Sequence, residues 1–233
     1  MGFDPSKRKP PPGKKLPVIL LLDVSGSMSG DKINQLYDAT VEMVDTFVEQ
    51  KLKELIIDVA VITFGESVDL HTPYTAVSDL QKKGINRFYA DGMTPLGTAL
   101  EMAKDMVEDK NVTPSNVYRP AVVLVSDGEP NDEWKSPLKN FIENGRSAKC
   151  QRFSIAIGTD ADRKMLEKFT EDPNNVFFAE NASDIALCLK KITMSISIRA
   201  RSTNPNVVPP PPGDFDKPKN IKNDDDENDD DEF

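Results

Sequence analysis

Histidine and tryptophan each occur once in these 233 residues, cysteine occurs twice, and no apolar run approaches the length of a membrane-spanning helix. Each scarcity excludes something. A single histidine, His71, leaves a Ser/His/Asp triad only one possible base, and the segment Gly26 to Gly30 carries Met28 rather than serine where a nucleophile elbow needs its serine. Cys150 and Cys188 have neither metal-site nor C-x-x-C spacing and read as buried thiols of a reducing compartment. The longest apolar runs, Val18 to Leu22 and Ala121 to Val125, fall far short of the ~20 residues of a transmembrane span. The N-terminus also lacks the apolar core of a signal peptide, so a soluble cytoplasmic protein is expected. No Walker A sequence or dinucleotide fingerprint occurs. The match of Met1 to Ser6 to the loose myristoylation pattern is read as chance.

Acids outnumber bases, 39 to 29. The net charge is −10, and Asp214 to Glu232 holds ten acids against Lys217, Lys219 and Lys222, which accounts for seven of those charges. The rest is near neutral, so direct nucleic-acid binding of the basic kind is not expected. Residues 1–15 are basic, rich in proline and poor in apolar residues: a flexible leader. Residues 199–233 read as a proline-rich linker, with Pro209 to Pro212 in one run, followed by a disordered acidic tail. The folded domain is therefore placed at 16–198.

Within it, apolar runs alternate with helical periodicity. Strands are expected at Leu16 to Leu22, Leu55 to Phe64, Ser67 to Leu70, Ala121 to Ser126, Arg152 to Gly158 and Val176 to Ala179. Helices are expected from Asp31, from Pro95 to Glu108, around Trp134 to Asn144, from Asp162 to Phe169 and from Ser183 to Ser197, the last capped by Ser183 or Asn181. Such alternation means an α/β fold, an open and mostly parallel sheet covered by helices on both faces. Ligands then bind beyond the carboxyl ends of the central strands.

Three loops there are chemically loaded. The first reads Asp23-Val24-Ser25-Gly26-Ser27, the second Asp91-Gly92-Met93-Thr94-Pro95, the third Asp127-Gly128-Glu129-Pro130-Asn131-Asp132. Any one alone would be a turn or a helix cap. Together they offer carboxylate and hydroxyl oxygens without imidazole or thiolate, a donor set suited to Mg²⁺, with Mn²⁺ or Ca²⁺ as alternatives. Few direct carboxylates would leave such an ion electrophilic, and an Asp or Glu of a partner protein would complete its sphere. Glu129, Asn131 and Asp132 read as solvated turn residues, with contact to a partner as the alternative. Met43, Met102, Met106 and Met165 read as core filler.

Asp23-x-Ser25-x-Ser27, Thr94 and Asp127-Gly128, with Thr94 67 residues after Ser27 and 33 before Asp127, resemble the metal-ion-dependent adhesion site of von Willebrand factor A domains. More narrowly, Leu22 to Met28, Thr94 to Gly97, Ser126 to Asp132 and Phe178 to Ser197 are similar to bacterial tellurium-resistance-type proteins of this family. The resemblance implies a Rossmann-like six-stranded sheet of order 3-2-1-4-5-6 with one antiparallel edge strand. It implies direct metal contacts from Ser25, Ser27 and Thr94, waters held by Asp23 and Asp127, and Thr94 as the ligand released when the site changes state. It also implies a non-enzymatic mediator in a stress-response complex, with kinase, phosphatase or membrane-protein partners. Met93 departs from the small residue that the family pattern has before the threonine.

Two rival readings remain at this level. One is a phosphatase-like Mg²⁺ enzyme with Asp23 as nucleophile, although Ser25 stands where its acid/base Asp would be. The other is a scaffold acting through its acidic tail.

Overall fold

The computed structural model describes residues 14–52 and 55–207. Of the leader expected at 1–15 and the linker and tail expected at 199–233, residues 1–13 and 208–233 lie outside the described residues, whereas Lys14 and Lys15 begin the first strand and residues 199–201 end the last helix. Six strands, β1 (Lys14–Asp23), β2 (Leu55–Phe64), β3 (Val68–Ala76), β4 (Ala121–Ser126), β5 (Gln151–Ile157) and β6 (Val176–Ala179), form one sheet of order β3-β2-β1-β4-β5-β6. All neighbours pair in parallel except β2 with β3, which are antiparallel.

Strand β1 shows why the sheet is central. From Leu16 to Asp23 every residue is buried, because both faces are covered. Leu16, Val18, Leu20 and Leu22 point into one apolar cluster, and Ile19 and Leu21 into the other. The first cluster is closed by α1 (Asp31–Glu49), α2 (Val77–Lys83) and α6 (Ala182–Arg201). The second is closed by α3 (Leu96–Glu108), α4 (Lys135–Glu143) and α5 (Arg163–Thr170). The period-2 alternation of β1 thus feeds two cores, and each fully buried leucine or isoleucine stabilises by roughly 1.5–3 kcal/mol.

Most expected elements appear within one or two residues of their sequence bounds. The edge differs. The partner of β2 runs nine residues, to Ala76, and is followed directly by α2, which was not anticipated. Only Thr72 of β3 is buried, and the β2–β3 register shifts twice, so an edge strand carrying Pro73 shows little alternation to detect. Pro95 is the N-cap residue of α3 rather than its first helical residue. Helix α6 begins with a capping box in which Asn181 accepts from Ser183 N and Asp184 reaches back to Asn181 N, so Asn181 is the cap. Cys150 and Cys188 are buried free thiols, and Met43, Met106 and Met165 sit in the core as expected.

Candidate metal centre

The site is built where β1 and β4 end side by side. Beyond Asp23 the chain makes a short 3-10 turn, Gly26–Met28, before α1 starts. Met28 is fully buried in the core beneath α1 and anchors this otherwise polar loop from below. The Asp23 carboxylate is also fully buried: Oδ1 accepts from Ser25 N at 2.9 Å, and Oδ2 accepts from Ser126 Oγ at 2.7 Å. Burial pushes its pKa above the ordinary carboxylate value, and the nearby Asp127 pushes the same way, against the lowering effect of the hydrogen bonds from Ser25 and Ser126.

Ser25 and Ser27 stand with their hydroxyls 3.1 Å apart, and Ser27 Oγ donates to Asp127 Oδ1 at 2.7 Å across a separation of 100 residues. The other oxygen of Asp127 receives Lys32 Nζ at 2.5 Å, and the same ammonium lies 3.3 Å from Ser27 O. Asp127 is therefore a buried anion held between a hydroxyl and a cation from the first turn of α1.

The Thr94 loop is stitched into place from both sides. Asp91 N donates to Val24 O at 2.8 Å and Gly26 N to Gly92 O at 3.0 Å, which ties the loop to the Asp23–Ser27 segment. On the other side Thr94 N donates to Asn131 Oδ1 at 2.9 Å, while Asn131 N donates to Thr94 O at 3.1 Å. Gly92 has φ +73°, and a Cβ there would stand 2.3 Å from the backbone of Glu66, so only glycine lets the loop cross here. Thr94 Oγ1 faces Gly128, 4.0 Å from where a Cβ on that glycine would stand. Asp132 completes the support: its carboxylate accepts from Gly97 N at 2.9 Å and Thr98 N at 3.0 Å, at the positive end of α3.

All five residues singled out in the sequence, Asp23, Ser25, Ser27, Thr94 and Asp127, thus lie in loops that meet at one end of the sheet. Asn131 is exposed and Asp132 half-buried in the turn after β4, and beyond that solvated position Asn131 clasps the Thr94 loop while Asp132 accepts from the first turn of α3. Lys32 and Ser126 were missed as site residues. A serine ending a buried strand and a lysine one residue into a helix carry no signal until the fold brings them to a carboxylate. Met93 is exposed, its Sδ accepting from Asn131 Nδ2 at 3.5 Å, and it projects to solvent beside the site. His71 is half-buried, with its ring edge-on to Phe88 at 5.0 Å, on the far edge strand.

The donor set fits a hard divalent cation. Among the described residues no group of three or more His, Cys, Asp or Glu side chains is placed to hold a metal. What gathers here is the Ser25 and Ser27 hydroxyls, linked to each other and to Asp127, beside the buried Asp23 carboxylate held by Ser25 N and Ser126 Oγ, with Thr94 Oγ1 facing Gly128. This suits Mg²⁺-type rather than thiophilic or imidazole-bound metals.

Sheet order and the helices on both faces define a three-layer α/β domain, with the three loops gathered at one end of the strands. The chain belongs to the von Willebrand factor type A domain family, whose sequence profile matches residues 18–193. It is 23% identical over 197 residues to the collagen alpha-1(XXI) chain of Xenopus laevis, covering 82% of this chain and 19% of that one. To the human inter-alpha-trypsin inhibitor heavy chain H4 it is 25% identical over 165 residues, covering 66% and 17%. The chain therefore spans less than a fifth of the length of these relatives. Among solved structures it is similar to proximal thread matrix protein 1 of the mussel byssus, a structure with a zinc-occupied MIDAS motif. The TM-score is 0.63 at 19% identity, over 78% of this chain and 48% of that one, a likeness of fold.

Proposed function

We propose that this domain is a non-enzymatic, metal-dependent protein-binding module. Ser25, Ser27 and Thr94 would hold the ion directly, and Asp23 and Asp127 would hold waters around it. The ion, Mg²⁺ in this reading, would supply an electrophilic position for an Asp or Glu of a partner protein. The observation that carries the reading is the chain of contacts from Ser25 Oγ through Ser27 Oγ to Asp127 Oδ1, backed by the fully buried Asp23.

This chain's residues have separable tasks. Asp23 fixes the turn through Ser25 N and, being buried, lends negative charge from behind. Asn131 and Asp132 hold the Thr94 loop at its distance. Lys32 offsets part of the charge of Asp127. Both oxygens of Asp23 accept hydrogen bonds within the protein and none of the side chain is exposed, an arrangement unsuited to nucleophilic attack on a phosphoester. That supports binding over phosphatase chemistry.

Membership of a tellurium-resistance-type stress complex, with kinase, phosphatase or membrane-protein partners, belongs to the same proposal and rests on the four sequence stretches alone. Cytoplasmic residence is proposed from the two buried thiols. Among the described residues no helix is long and apolar enough to cross a membrane.

The test is calorimetric titration of Mg²⁺ and Mn²⁺ into the full chain beside its Asp23→Ala/Ser25→Ala variant, so that ion uptake by the acidic tail is common to both. One saturable site present only in the parent is expected, together with capture of a carboxylate-bearing partner that chelator abolishes. Identical isotherms, with partner capture indifferent to chelator, would reject the mechanism.

A further inference from the structure

Helix α6 presents an exposed stripe that shares no residue with the metal loops and does not depend on the reading just given. Ten of its twenty residues are buried against the sheet and α1, which leaves one stripe open. Along that stripe Leu187, Met194 and Ile198 are 53%, 50% and 50% exposed. These three large apolar side chains share one helix face, with Lys191 between Leu187 and Met194.

The spacing of the stripe is regular. Asp184, Leu187, Lys191, Met194, Ile198 and Arg201 follow one another at alternating intervals of three and four residues, the a/d seam of a two-helix coiled coil. Lys190, just beside the seam, inclines to Glu42 of α1 at 4.0 Å, so its charge is turned away from the stripe. Read backwards, the seam matches itself. When a second α6 is laid antiparallel, Asp184 meets Arg201, Leu187 meets Ile198 and Lys191 meets Met194, and by symmetry each pairing occurs twice. Acid thus faces base at both ends, and apolar faces apolar between them. In the central layers the lysine stem can cover the thioether while its ammonium stays in water.

We propose that α6 is a homodimerisation surface, and that two copies of this chain pair through it antiparallel about a two-fold axis near the helix midpoint. Self-complementarity of charge and apolarity about one point is the requirement of an isologous interface. It selects a second copy over an arbitrary partner helix. A lysine in the seam lowers affinity, so the association is expected to be micromolar rather than obligate. The helix starts at the end of the sheet that carries the metal loops, directly after β6, and runs to the other end. Antiparallel pairing therefore directs the two metal sites to opposite poles of the dimer and leaves both open.

The experiment is sedimentation velocity of the full chain over a concentration series. A reversible monomer–dimer equilibrium is expected, at least tenfold weaker in Leu187→Ser/Ile198→Ser, with the circular dichroism melt unchanged. Arg201→Asp, which sets acid against acid, should weaken it likewise, whereas Arg201→Lys, which keeps the charge, should not; Asp184 is left in place because its carboxylate also caps α6. A full chain that stays monomeric throughout, a dimer indifferent to the Leu187/Ile198 pair, or an Arg201→Asp variant as dimeric as the parent would overturn the proposal. Dimerisation seen only after removal of residues 208–233 would overturn it too, and would assign the stripe to the chain's own tail.

Discussion

Lys32 Nζ and Asp127 Oδ2 lie 2.5 Å apart, although 95 residues separate them in sequence and the carboxylate is fully buried. The ammonium stands at the mouth of the site, on the oxygen opposite the one that Ser27 holds. A fixed cation there competes electrostatically with a divalent ion for the same carboxylate. Lys32→Met is expected to raise Mg²⁺ affinity about tenfold, equivalent to ~1.4 kcal/mol. The same change should lower the thermal midpoint in chelator, because Asp127 then loses its counter-ion. Calorimetry and melting with and without metal read both effects, and a variant with weaker Mg²⁺ binding would refute the competition.

The buried Asp23 gives the site a pH signature. Its pKa is raised in the folded protein, so between the unfolded and folded values the native state binds more protons than the unfolded chain. Its contribution to stability therefore falls as pH rises through that window, and above the folded value the full cost of the buried charge is felt. Asp23→Asn should melt higher than the parent at pH 7 in chelator and show a flatter profile on the acid side. Saturating Mg²⁺ should reverse the order by stabilising only the parent. Differential scanning calorimetry across pH checks both halves.

Asp132 ties the third loop to α3 through two backbone donors. Its replacement by alanine is expected to cost about 1 kcal/mol, the usual worth of a helix cap, or about 2–4 °C in Tm for a domain of this size. Loosening the Thr94 loop should also weaken metal binding, whereas Glu129→Ala, on an exposed neighbour, should leave both unchanged.

The two thiols should be silent. Burial pushes Cys150 up to about 12 and Cys188 up to about 11, and both side chains lie in the core. Native protein at pH 8 should not react with a disulfide reagent on the timescale of minutes, and two equivalents should react in denaturant. Prompt modification of either cysteine in the native state would contradict the packing.

Much of this arrangement is visible in the chain itself, for reasons that can be traced residue by residue. Val18 to Leu22 and Ala121 to Val125 are unbroken apolar runs because both faces of their strands are covered, and they appear as strands where expected. Helix α1 repeats its apolar residues at three and four because one face lies on the sheet. By contrast β3 buries only Thr72, and α2 spans seven residues, too few to set a period. At the site, Asp23, Ser25, Ser27, Thr94 and Asp127 stand out because acids and hydroxyls cluster with glycine at strand ends. Lys32, Ser126, Asn131 and Asp132 do not, since each resembles an ordinary turn or helix-start residue. Their roles arise only from approaches across 34 to 103 residues of chain.

The parallel sheet also fixes how the domain bears a load. Lys14 enters β1 at one end of the sheet, and nine residues later Asp23 opens the Ser25–Ser27 loop at the other. Tension between a molecule gripped at that loop and the chain before Lys14 would run along β1, hydrogen-bonded to β2 on one side and to β4 on the other. Both ladders would then be sheared together rather than peeled bond by bond, so the strand nearest the grip is also the one best placed to resist pulling.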